Sequence, residues 1–174
     1  RALPSLNLGN DLTECNGPDD ITLSAAPSGG TWTGTGITNA NGTFNAVTAG
    51  GVGTYKAYYE YTDGNGCTNT ATTTLEVNDT PTVSIDPVAP ICEYETASLT
   101  ANGSGTFEWT GDGLNTTTGS TVTASGLTTG TYTYTVICID ANGCEGTATV
   151  DVVVNPSPLV NIDPIDAICE YETT

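Results

Sequence analysis

Apolar and polar residues alternate with a period of two along much of this chain, the pattern of strands that bury one face. The longest run lies between Thr54 and Thr62. Tyr55, Ala57, Tyr59 and Tyr61 fall on one side, and Lys56, Tyr58 and Glu60 on the other. Asp63-Gly64-Asn65-Gly66 follows, with Gly and Asn where a tight hairpin needs positive φ. The return strand starts at Cys67 and carries Ala71, Thr73, Leu75 and Val77 inward. Shorter alternations predict strands at Pro4–Leu8, Ile21–Ala25 and Thr31–Thr33, and a short one around Thr43-Phe44. Gly29-Gly30 turns the chain into the strand bearing Trp32. Cys15 falls in a polar loop ending Gly17-Pro18-Asp19-Asp20. No stretch sustains a helical period, and the segment up to Gly53 otherwise reads as loop.

The same grammar returns 77 residues later. Ile91-Cys92-Glu93-Tyr94-Glu95-Thr96 reappears as Ile168-Cys169-Glu170-Tyr171-Glu172-Thr173, and Cys15, Trp32 and Cys67 map onto Cys92, Trp109 and Cys144. In the second copy Tyr132, Tyr134, Val136 and Cys138 form the inward row. Asp140-Ala141-Asn142-Gly143 is the turn, and Ala148, Val150, Val152 and Val154 line the last strand. Leu99 stands one residue closer to its Cys than Leu23 does, yet the Cys-to-Trp spacing is 17 in both copies. A fixed frame with free loops explains this. The predicted organisation is repeat 1 over residues 1–79, repeat 2 over 80–156 and the truncated start of a third over 157–174. The fold class is all-β: tandem immunoglobulin-like (PKD-like) β-sandwich repeats of about 77 residues. The joints Asn78-Asp79-Thr80-Pro81 and Asn155-Pro156-Ser157-Pro158 are short and proline-bearing, so an extended rod is expected.

Composition narrows the function. The chain has 20 acidic residues, two basic residues (Arg1 and Lys56), no His, and a net charge of −18. Nucleic acid is excluded, because nothing is present to neutralise phosphates, and an anionic membrane surface is disfavoured. Charged residues are 13% of the chain, and Thr alone is about a fifth. The polar faces are thus largely hydroxyl, which suits exposed sheet. No run of 18 apolar residues occurs, so no membrane-spanning helix is expected. With no Met in the chain, Arg1 is expected to follow a cleavage site, a secretion signal having been removed.

Six Cys without His read as disulfides formed in an oxidising compartment, not as zinc ligands. Cys15 to Cys67 and Cys92 to Cys144 both span 52 residues, so the expected bridges are Cys15–Cys67 and Cys92–Cys144. Cys138, on the inward row where repeat 1 has Tyr61, is expected to be a buried thiol. The alternative is a Cys92–Cys138 bond that leaves Cys144 free. Cys169 has no counterpart 52 residues on, so the protein is expected to continue. Trp32 and Trp109 are expected in the core near the bridges, with ligand stacking as the alternative.

No enzyme is expected. The chain lacks a His base and a phosphate loop, and Lys56 aligns with Thr133, which rules out a lysine isopeptide crosslink as a general device. No cofactor is required. Calcium is a candidate, with oxygens from Asp63 and Asn65, from Asp140 and Asn142, and from Asp86, Glu93 and Glu95 near a joint. Turn chemistry and solvated surface are the competing readings of these residues.

Trp109-Thr110-Gly111-Asp112-Gly113 resembles the Trp-x-x-Gly-Asp-Gly turn of PKD-type domains, one residue shorter. The run Thr131 to Val136, followed by Asp140-Ala141-Asn142-Gly143-Cys144, resembles tandem Ig-like or PKD-like repeats of large Bacteroidota surface proteins, including gliding-motility adhesins and other type IX secretion cargo. The resemblance covers both full repeats. It implies a secreted, cell-surface fibre without catalytic residues. Repeat 1 departs from it with Gly34-Thr35-Gly36, so a role for Asp112 is not general. The expected function is an extracellular structural or adhesive filament segment built of disulfide-tied spacers. The alternatives are carbohydrate-binding accessory repeats of a secreted hydrolase and a self-associating surface filament. The expected partners are neighbouring repeats of the same chain, with surface glycans and other copies of the chain as further candidates.

Overall fold

The computed structural model describes residues 2–164. The strands are β1 (Leu12–Cys15), β2 (Asp20–Thr22), β3 (Thr31–Gly34), β4 (Ile37–Asn39) and β5 (Thr43–Asn45), then β6 (Gly53–Thr62) and β7 (Thr68–Asn78). One turn of helix, α1 (Ala46–Ala49), separates β5 from β6. The second unit contains β8 (Val83–Ile85), β9 (Ile91–Cys92), β10 (Ala97–Gly103), β11 (Thr106–Thr110), β12 (Thr121–Ala124), β13 (Gly130–Ile139) and β14 (Glu145–Asn155).

Each unit pairs a four-stranded with a three-stranded sheet. The four-stranded sheets run β1-β7-β6-β3 and β11-β13-β14-β9; the three-stranded sheets run β2-β5-β4 and β12-β10-β8. The long antiparallel hairpins β6/β7 and β13/β14 have registers that coincide after a shift of 77, Tyr59↔Ala71 becoming Val136↔Ala148. The first segment of each unit divides between the sheets. β8 pairs antiparallel with β10, and β9 then crosses to pair parallel with β14. In the first unit the crossing segment is β1, parallel to β7, and its predecessor touches the other sheet through the Asn7↔Ala26 bridge. This is the immunoglobulin-like sandwich, and the alternating inward rows dictate it.

Two separate cores result. One gathers Leu23, Trp32, Phe44, Ala57, Tyr59, Leu75 and Val77. The other gathers Leu99, Trp109, Val122, Tyr134, Val136, Val152 and Val154, with others around them. The rows expected to face inward do so. Trp32 lies against Tyr59 with ring centroids 4.9 Å apart, and Trp109 donates its indole N–H to the Gly119 carbonyl at 2.9 Å. Gly111, at φ 149°, lies so close to the Tyr134 ring that a Cβ would overlap it, and the Tyr134 hydroxyl donates to the Asp112 carbonyl at 2.7 Å. The Trp-to-Gly turn therefore works through a glycine and a backbone carbonyl. Tyr55 and Tyr132 open the long strands and donate to carbonyls four residues upstream, Gly51 at 2.8 Å and Thr128 at 3.1 Å. These are the tyrosine corners of immunoglobulin-like sandwiches.

Several local expectations differ from the structure. Pro4–Leu8 forms no strand and meets the sheet only through the isolated Asn7↔Ala26 bridge, and Ile37–Asn39, in a segment read as loop, forms β4 against β5. Cys15 ends a strand rather than sitting in a loop, because β1 completes the open edge of β7. Ala46–Ala49 forms a turn of helix, capped by the Asn45 side chain, which accepts from the Thr48 N–H at 2.9 Å, and closed by Gly50 at φ 115°. Residues 158–162 form no strand, since no neighbour offers them a ladder. The recurrence of the Ile91–Thr96 motif at 168–173, with Cys169, lies outside the described residues.

Candidate functional site at the joint between the units

The parallel pairing of β1 with β7 fixes where the cysteines go. Cys15 stands opposite Asn78, the last residue of β7, and the next residue, Asn16, donates its N–H to the Asn78 carbonyl at 2.8 Å. Cys67 precedes the first residue of the same strand. A strand of this length separates the two by roughly 35 Å, whereas a disulfide needs Cα atoms within about 7 Å. Cys92, opposite Asn155, and Cys144, just before β14, are separated in the same way. The expected bridges Cys15–Cys67 and Cys92–Cys144 are therefore not formed. Equal spacing showed that the cysteines were a frame, but not that its two members lie at opposite poles of each sandwich.

The bond that forms is Cys15–Cys144, with Cα atoms 5.5 Å apart and 129 residues between them in sequence. The exit pole of the first unit carries Cys15, and the hairpin at the near pole of the second carries Cys144. The bridge crosses the joint. Neither Trp lies beside it: Trp32 pairs with Tyr59 and through it with Ala71, seven positions along β7 from Asn78, or roughly 23 Å, and Trp109 pairs with Val136 and through it with Ala148, four positions from Cys144, or roughly 13 Å. Cys67 and Cys92 are half-buried thiols, and Cys138 is a fully buried one. Cys138 faces Phe107 and Gly146 across its ladders, at the pole opposite Cys92, so a Cys92–Cys138 bond is excluded by the same distance argument.

The hairpin is built to present its cysteine. One Asp140 carboxylate oxygen accepts the N–H groups of Asn142 and Cys144, both at 2.8 Å. Asp63 does the same for Asn65 at 2.8 Å and Cys67 at 2.9 Å. The Cys67 N–H above all holds the Asp63 carboxyl below its ordinary value. The linker is seated beside the hairpin. A Cβ on Gly146 would collide with the Pro81 carbonyl oxygen, so only glycine lets the incoming chain lie there.

The acids proposed for calcium are engaged elsewhere. Asp86 accepts from the Asn102 amide at 2.8 Å, and Glu95 accepts the Cys92 N–H at 2.8 Å. Glu93 accepts the N–H and hydroxyl of Thr129 at 3.0 and 2.9 Å, and the Thr129 N–H is the main cause of its lowered pKa. Among the described residues no three such side chains gather in a group that could hold a metal ion. Asp63, Asn65, Asp140 and Asn142 form turns, while Glu93 and Glu95 brace the exit pole of the second unit.

The crossing bridge was not legible in the cysteine spacing. In a sandwich whose first edge strand runs parallel to its last, a residue at the end of one strand cannot meet a residue just before the start of the other. Cys15, the last residue of β1, and Cys67, just before β7 begins, are such a pair.

No family model matches this chain, and no curated protein matches it. Among solved structures, the fibronectin(III)-like modules of Clostridium thermocellum CbhA are 16% identical, covering 93% of this chain and 100% of theirs, at a TM-score of 0.44. The Ig1-2 module of the Drosophila receptor protein tyrosine phosphatase DLAR is 12% identical, covering 88% and 100%, at 0.32. The Bacteroides ovatus glucan-locus protein SGBP-B, in complex with a mixed-linkage heptasaccharide, is 17% identical at 0.29; the match covers 88% of this chain and 46% of that protein. At these scores the superpositions are loose. The immunoglobulin-like assignment rests on the sheet order and the crossing first strand.

Proposed function

We propose that this chain is a load-bearing spacer segment of an extracellular filament, structural or adhesive, of the kind found in the large Bacteroidota surface proteins it resembles. The observation that carries the reading is the Cys15–Cys144 bridge. Tension applied to the chain ends enters at Cys15 and leaves at Cys144, so the interval between them is bypassed. Both hydrophobic cores lie largely within that interval. While the bond holds, the stretch from Cys15 to Cys144 does not extend and the joint does not open; only the flanking residues, β14 among them, can be drawn out. The oxidising compartment that such a bond needs fits a position outside the cell.

The acidic, hydroxyl-rich surface suits a spacer that must not aggregate with its neighbours. The glycan-binding alternative has less support. Trp32, the aromatic proposed for stacking, is 4% exposed and turned onto Tyr59, and the cleft beside it, of about 280 Å³, is lined by Leu23, Ser28, Trp32 and Tyr59 among others. That volume is at the lower edge of the range for small-molecule sites.

Force spectroscopy on the chain held at its ends tests the proposal. The oxidised protein should extend only through the residues outside the bridge. Reduction should release roughly 400 Å of further contour length, at about 3.4 Å per residue. Equal extension before and after reduction would remove the mechanical reading. Binding to a surface glycan that is lost in Trp32→Ala would favour the accessory-module alternative.

A further inference from the structure

We infer that the cleft beside Trp32 in the first unit binds a small neutral molecule carrying an acetamido group, whose carbonyl oxygen accepts the Trp32 indole N–H. The inference goes beyond the spacer reading and stands without it.

The two core tryptophans differ in one hydrogen bond. Trp109 donates its indole N–H to the Gly119 carbonyl. The residue 77 positions before Gly119 is Gly42, and its carbonyl accepts the Leu23 N–H at 2.8 Å instead. The Trp32 indole N–H has no partner among the described residues, although Trp32 is only 4% exposed. It opens onto the cleft, since among the described residues no sealed side-chain nitrogen or oxygen lacks a partner. Gly42 packs on the same edge of the ring, and a Cβ there would stand 2.8 Å from the indole nitrogen and cover it. An indole nitrogen can only donate, and leaving a donor in a mostly buried ring without an acceptor costs free energy.

The rim of the cleft is built in advance. The Tyr59 hydroxyl donates to the Pro27 carbonyl and accepts the Gly30 N–H, both at 2.7 Å. This fixes the turn Ser28-Gly29-Gly30, which forms one wall. A Cβ on Gly30 would overlap the Tyr59 ring, so glycine is needed there. Leu23 and Ala25 make an apolar wall, and Ser24, Ser28 and Asn41 bring exposed hydroxyl and amide groups whose side chains have no partner among the described residues. The second unit has Phe107, Thr118 and Val136 where the first has Gly30, Asn41 and Tyr59, so the site belongs to the first unit alone.

The lining sets the chemistry of the ligand. No charged side chain borders the cleft, and Lys56, the one base among the described residues, lies on the opposite side of β6 from Tyr59. The ligand is therefore neutral. The ring face of Trp32 lies against Tyr59, which leaves its edge for an end-on contact rather than stacking. An amide carbonyl suits that edge, because it offers two lone pairs and has no hydrogen of its own to place. The methyl of the same acetamido group fits against Leu23 and Ala25. A volume of about 280 Å³ holds one compact group, and the Trp32 N–H of the main chain is already given to the Ala40 carbonyl at 3.0 Å, so a peptide strand finds no ladder there. Acetamido sugars and simple amides share this chemistry; only the sugars would also use Ser24, Ser28 and Asn41.

The test follows the two indole N–H resonances of the full chain, with Trp109 as the internal control because its N–H is already bonded. N-acetylglucosamine, N-methylacetamide and glucose are titrated to equal concentration. N-acetylglucosamine should shift the Trp32 signal saturably and N-methylacetamide more weakly, while Trp109 stays and glucose moves neither. Trp32→Phe keeps a ring but removes the N–H, and should weaken binding about tenfold as read at the Gly29 and Gly30 amides. Asn41→Ala alters an exposed side chain and leaves the fold intact; it should weaken the sugar and leave N-methylacetamide unchanged. A saturable shift with N-methylacetamide alone supports the amide contact and assigns simple amides as the source. No shift with either amide, an equal shift with glucose, or undiminished affinity in Trp32→Phe overturns the inference. Each of these results leaves the force measurement unaffected, so the two proposals fail separately.

Discussion

The two units share one sheet almost residue for residue and differ in the other. β6 and β7 map onto β13 and β14 at an unchanged shift of 77, and Cys15 maps onto Cys92 at the end of the parallel edge strand. The three-stranded sheets diverge. The first unit has strands of three residues, a helical turn and the Asn7↔Ala26 bridge in place of a full edge strand. The second has a seven-residue β10 paired on both sides. The invariant sheet is the one whose ends deliver a cysteine to each pole. A slip of one residue there turns a cysteine to the other face, whereas the other sheet only has to cover a core.

The largest expected effect that sharpens this contrast is on the two tryptophans. Trp109→Ala should cost about 3–5 kcal/mol, because Trp109 is 1% exposed and its removal leaves a closed cavity. Trp32→Ala should cost less, since Trp32 borders an open cleft into which its vacated space merges. Denaturant melts of the two variants check the order, and equal losses would mean the cores are equally closed.

Next comes the bridge itself. Reduction, or Cys15→Ser, should lower stability by roughly 2–4 kcal/mol and let the two cores melt separately by calorimetry. A single transition unchanged by reductant would place the coupling elsewhere than in Cys15–Cys144.

A smaller effect distinguishes the joint from the entry pole of the first unit. Gly146→Ala should cost about 1–3 kcal/mol by forcing the Pro81 carbonyl away. Its counterpart, Asn69, instead holds the Pro4 carbonyl with its side-chain amide at 2.8 Å. Asn69→Ala should therefore cost only about one hydrogen bond, ~1 kcal/mol. Scattering profiles should change for the Gly146 variant and not for the Asn69 variant.

The smallest expected difference is in pH response. Glu93 has its folded pKa below the ordinary 4.5, chiefly through the Thr129 N–H, and its counterpart in the first unit is Asn16, which does not titrate. A depressed folded pKa gives stability that is present above the unfolded value and is lost as pH falls through the folded one. Acidification below pH 4.5 should therefore weaken the exit pole of the second unit, and Glu93→Gln should flatten that part of the profile. Amide exchange at Thr129, followed against pH, is the direct readout.

Sequence alone determined the repeat, the all-β class, the inward rows and the two core tryptophans. These follow from a period of two and from residue size, which are local properties. It also marked Asp63 and Asp140 as turn residues, since an Asp two and four residues before the N–H groups it accepts needs no distant partner. It left the tyrosine corners unread, because Tyr55 and Tyr132 look like ordinary members of the inward row. Tertiary structure alone decided the disulfide. Cys15 has an equal-spaced partner in its own unit and a distant one in the next, and nothing local separates them. The parallel seating of the first edge strand on the last decides it. That seating sets Cys15 and Cys67 a strand's length apart and brings Cys15 to Cys144 across the joint.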